Sequence, residues 1–121
     1  MFNVNRLLYS KRARHMNQVP RVVVKGGGKM TQAYADQLKK DWKELNCSDK
    51  HLVKTIQVYP KLRSEDHARL YGRAFPIHST IQVSMMNGKN RVLNKDERER
   101  TLMHEIGHLK YYHLPDAEKD R

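Results

Sequence analysis

The sequence predicts an α+β domain: a small, mostly antiparallel sheet with one backing helix and one C-terminal helix. Three observations predict it. Leu52 to Tyr59 and Thr80 to Met86 alternate apolar with polar residues, the period of a half-buried strand. Residues 31–45 place Ala35, Leu38, Trp42 and Leu45 at helical spacing, with lysines on the far face. Residues 95–112 read as a second helix with a start signal before them and a proline shortly after.

The elements follow in order. Val22-Val23-Val24 is a β-branched run that suits a short strand, and Gly26-Gly27-Gly28 ends it. With Lys29, these glycines invite a phosphate-loop reading. The earlier glycine of that motif is missing and Met30 replaces its hydroxyl residue, so the segment reads as a connector. Asn46 stops the first helix. Pro60 ends the strand begun at Leu52, residues 61–69 read as a charged loop, and Leu70 to Ile77 as a strand interrupted by Gly72 and Pro76. In the strand from Thr80 to Met86, Ile81, Val83 and Met85 share one face, and Asn87-Gly88 signals a turn. Asn94 is placed to cap the last helix, with Glu97 as its capping-box partner. Pro115 disfavours helical geometry at Leu114, so that helix should not pass His113.

The 121 residues suffice for one hydrophobic core. Lys and Arg number 24 against 13 Asp and Glu, a net charge of +11 that attracts polyanions. Residues 1–35 hold seven of the bases and no acid, leaving the remainder a net +4. Residues 1–19 therefore read as a basic arm suited to nucleic acid or another polyanion, with the folded domain over 20–121. Cys47 is the only cysteine, which fits a reducing, cytoplasmic setting, and no apolar run is long enough to span a membrane.

The chemistry is concentrated in His104-Glu105-Ile106-Gly107-His108. Histidines four residues apart project from nearly the same helix face, so two imidazole nitrogens can share one zinc ion. Glu105 stands on the flank of that stripe, where a carboxylate can take the proton of an activated water without binding the metal. Leu102, Ile106 and Leu109 give the helix an apolar back face. Tyr111 falls on the histidine stripe and is a candidate oxyanion donor beside Glu105.

Ile81 to His113 resembles the core of zincin metallopeptidases. Arg100 to Leu109 is similar to the active-site helix of the ImmA/IrrE-like group, and the short layout resembles minimal gluzincin-type peptidases. His113, five residues past His108, is similar in place to the third ligand of SprT-like proteases, which act on DNA-linked proteins. The resemblance implies a zinc-dependent peptidase for peptide or protein substrates, with the metal on His104, His108 and a third group. It also implies that the strand Thr80 to Met86 is an edge strand that pairs with the substrate backbone. His113 is the first choice of third ligand, with Asp116, Glu118 and His78 as alternatives. On a continuous helix His113 points away from His104, so it joins only if the chain turns at Tyr111–Tyr112. The metzincin pattern fails, because its glycine and third-histidine positions are Tyr111 and Leu114. The competing expectation is a catalytically inactive basic protein with a zincin-like fold, acting as a nucleic-acid-associated or structural assembly component.

Overall fold

The computed structural model describes residues 19–63 and 69–119. The expected basic arm lies outside them except for Val19, which packs against the core and so belongs to the domain. The fold is α+β. In chain order it contains β1 (Arg21–Val24), α1 (Gly28–Glu44), a 3-10 turn (Ser48–Leu52), β2 (Thr55–Tyr59), β3 (Leu62–Arg63) and β4 (Arg69–Leu70). There follow β5 (Gly72–Phe75), a second 3-10 turn (Pro76–His78), β6 (Thr80–Ser84), α2 (Lys95–Tyr112) and α3 (Asp116–Lys119).

The main sheet runs in the order β1-β2-β6-β5. It is mixed and not mostly antiparallel: β1 with β2 and β2 with β6 are parallel, and only β5 with β6 is antiparallel. The reason is connectivity. α1 is a crossover between β1 and β2, and a crossover returns the chain in the same direction. The chain then reverses into β5 and reverses again into β6, which restores the direction of β2. The strand expected at the edge, Thr80 to Met86, is thus β6 in the sheet interior, and β5 takes the edge. The charged loop expected over 61–69 is instead flanked by a two-strand ladder, Leu62 opposite Leu70 and Arg63 opposite Arg69. The strand expected from Leu70 to Ile77 is divided where Gly72 and Pro76 were expected to interrupt it: β4 ends at Leu70, β5 begins at Gly72, and Pro76 starts a 3-10 turn.

The first helix begins at Gly28, three residues before its expected start, because Gly27 caps it in a left-handed conformation with φ 81°. A Cβ at Gly27 would stand 1.8 Å from Thr31 Oγ1, so the position has neither the backbone freedom nor the space for a larger residue. One core joins both helices to one sheet face: Tyr34, Ala35, Leu38 and Trp42 of α1, Leu102, Ile106 and Leu109 of α2, and Ile56, Val58, Ile81 and Val83 of the sheet. Arg98 of α2 binds Asp41 of α1 at 2.6 Å with both side chains largely out of water.

Tyr34 is buried, and its hydroxyl donates to the Ser84 carbonyl at 3.4 Å. Burial pushes its proton affinity well above the ordinary value of 10.0. A raised folded-state pKa leaves stability intact below about pH 10 and removes it as pH climbs beyond. Tyr34→Phe has no proton to lose, so its alkaline unfolding by circular dichroism should begin at higher pH than that of the native chain.

Candidate metal centre

α2 presents the site because its start and its packing are fixed locally. The Asn94 side chain accepts from the Glu97 N–H at 2.9 Å, and the Glu97 carboxylate accepts from the Asn94 N–H at 3.0 Å. This reciprocal pair satisfies two of the donors a helix start leaves open. Leu102, Ile106 and Leu109 are buried, so the apolar stripe sets the rotation of the helix about its axis. His104 and His108 are thereby turned to the exposed side and Glu105 to the sheet.

The two imidazoles converge. Nε2 of His104 and Nε2 of His108 are 3.0 Å apart, with the rings near perpendicular at 88°. Two nitrogens bound to one tetrahedral zinc at about 2.0–2.1 Å stand about 3.3 Å apart. The pair thus fits two positions of a shared cation after a shift of a few tenths of an ångström. The same distance also serves an N–H···N bond between the rings in one tautomeric arrangement.

Glu105 is buried under β5. Burial pushes its carboxyl above the usual carboxylate range, and the charges of His104 and His108 oppose that shift. Gly72 makes the space. A Cβ there would stand 2.7 Å from Glu105 Oε2 and 3.0 Å from Thr101 Cγ2. The carboxylate nonetheless remains on the floor of two grooves. One runs past His104, Tyr71, Thr101 and Arg100; the other holds both histidines beside Gly72, Pro76 and Lys119.

The other sequence candidates fall out differently. α2 runs to Tyr112 without turning, and His113 is its C-cap, with its N–H still bonded to the Leu109 and Lys110 carbonyls. Its ring lies edge-on to Tyr112, so the turn it needed to join the pair is absent. Asp116 is fully exposed and paired with Lys119 at 3.7 Å. His78 is exposed at the end of its 3-10 turn. The Glu118 side chain lies outside the described residues. Among the described residues no three His, Cys, Asp or Glu side chains are grouped to hold a metal ion. Tyr111 lines the histidine groove, but its hydroxyl donates to the Lys119 carbonyl, which ties α3 to the mouth of the site.

Sequence reasoning missed Gly72 and Lys119. A glycine inside a strand signals close approach of another group, and that signal was present. Pro115, seven residues past His108, marks the turn that brings the tail to the site, but nothing in the sequence singles out Lys119 as the residue that reaches the histidine groove. No family model, curated protein or solved structure matches the chain.

Proposed function

We propose that the chain is a small zinc-dependent peptidase. The observation that carries this reading is the converging His104–His108 pair with the Glu105 carboxylate buried beside it at the foot of a groove. His104 and His108 would hold the ion, with a further donor completing the set. Zinc so bound supplies Lewis acidity to a water and to a carbonyl oxygen. Glu105 accepts the proton of the attacking water and delivers it to the leaving amine. Its surroundings suit that role: a partly desolvated carboxylate whose proton affinity is raised is a stronger base than one in water. β5 supplies a sheet edge that is free among the described residues, and an extended substrate adding to it by backbone hydrogen bonds would lie along the groove.

Metal analysis of the purified chain tests the reading. Zinc should be present at one ion per chain and lost in His104→Ala and His108→Ala. Substituting Asp116, Glu118 and His78 in turn should identify the remaining donor by a sharp fall in zinc affinity. A chain that folds but takes up no zinc from solution ends the peptidase reading and leaves the inactive, nucleic-acid-associated alternative.

A further inference from the structure

The main sheet has two faces, and the described helices cover only one. Val22, Val24, Ile56, Val58, Ile81 and Val83 point into the core. The alternate residues point the other way. In register they form rows: Arg21–Thr55–Thr80–Phe75, then Val23–Gln57–Gln82–Arg73, then Tyr59–Ser84. Thr80 and Ser84 are buried in this layer, Ser84 against β3, whose Leu62 N–H donates to the Ser84 hydroxyl at 3.3 Å, while Arg21 is exposed and Gln57, Tyr59, Arg73, Phe75 and Gln82 are partly exposed.

Charge divides along the same line. Every described Asp and Glu lies in α1, α2, α3 or the first 3-10 turn. The strands of the main sheet and the residues flanking them carry Arg21, Lys25, Lys54, Lys61, Arg63 and Arg73 and, among the described residues, no acid.

We propose that this helix-free face binds single-stranded nucleic acid, with its backbone on Arg21, Arg73 and the strand-end lysines and its bases on Tyr59 and Phe75. The charge division selects a polyanion and says which side of the molecule it meets. The side chains select nucleic acid over an acidic peptide. Tyr59 and Phe75 stand at opposite corners of the face, roughly 16 Å apart from strand spacing and rise, and offer rings on which bases stack. Between them Gln82 Nε2 donates to Gln57 Oε1 at 2.9 Å. Gln82 Nε2 also reaches the Tyr59 hydroxyl at 3.4 Å, and among the described residues these bonds leave the Gln57 nitrogen and the Gln82 oxygen for a base edge. A single strand fits better than a duplex, because a flat sheet offers no helix or ribbon to enter a groove and duplex bases cannot be laid on a ring. Arg73 also lines the groove that holds the histidines, but the other residues named on this face do not, so the inference stands whether or not the chain binds zinc.

Fluorescence anisotropy of the full chain with a labelled oligothymidylate tests it, with heparin and a duplex of equal length as controls. Tyr59→Leu/Phe75→Leu keeps apolar bulk and removes the rings, so oligothymidylate affinity should fall about tenfold or more while heparin binding is unchanged. Arg21→Glu/Arg73→Glu should weaken both and flatten the salt dependence. A second measurement needs no variant. Titrating the wild-type chain with oligothymidylate should shift the amide resonances of Val23, Gln57, Tyr59 and Gln82 more than those of α1 and α2. Unmoved sheet resonances, an unchanged affinity in the folded leucine variant, or tighter binding of the duplex would each overturn the proposal.

Discussion

Glu105→Gln should lower peptide hydrolysis by about 10²–10⁴-fold and leave zinc stoichiometry unchanged. The amide has the shape of the carboxylate but cannot accept a proton at neutral pH, so the variant isolates proton handling from packing. Retention of zinc is the informative half. On the proposed reading Glu105 is not a ligand, since only His104 and His108 converge, with Nε2 atoms 3.0 Å apart. Stability should hold or rise slightly, because a buried carboxylate with raised proton affinity is replaced by a neutral group. Zinc content and turnover measured on the same preparation decide the matter. Loss of metal would make Glu105 a ligand, and undiminished turnover would remove it from the chemistry.

The parts of this molecule that were legible in the sequence are those whose causes are local. The last helix was expected over Lys95–Tyr112 and occupies it, because Asn94, Glu97 and Pro115 lie within a turn of its ends. The direction of the apolar stripe through Leu102, Ile106 and Leu109 was also local, and it fixed which face carries the histidines. Strand direction was not local. Alternation shows that a segment is a strand and says nothing of its neighbours; β6 was taken for an edge only from the family resemblance, although β2 and β5 flank it. A helix between two strands was itself a sign of parallel pairing, which the expected antiparallel sheet passed over. The environment of Glu105 depends on Gly72, far away in the chain. Whether a histidine lies on a helix can be read from spacing; whether a third group reaches it depends on the path of the chain after Leu114.

Asp41→Ala should destabilise the domain by about 3–5 kcal/mol. That is a large share of the roughly 5–15 kcal/mol that holds a domain of this size together. Arg98 Nε meets Asp41 Oδ2 at 2.6 Å and a second guanidinium nitrogen lies 3.4 Å from Oδ1. The side chains are only 12% and 1% exposed, which separates this pair from the surface bridge Lys95–Glu44, whose side chains are 57% and 65% exposed. An exposed bridge is worth about 0–1 kcal/mol because water screens it and the ordering of two side chains offsets the attraction. In the buried pair the loss comes chiefly from the partner left behind. Without Asp41 the Arg98 guanidinium keeps its bond to the Leu93 carbonyl at 3.2 Å but loses its counter-charge while still largely cut off from water. Gln37 would also lose its acceptor, 3.1 Å away. Replacing both charged groups, as in Asp41→Leu/Arg98→Met, should restore much of the loss, because no unpaired charge then remains inside. Urea unfolding of the two single variants and the double variant measures the coupling. A loss below about 1 kcal/mol in Asp41→Ala would place this bridge with the screened surface pairs. It would then not be what clamps α1 to the first turns of α2, six residues before His104.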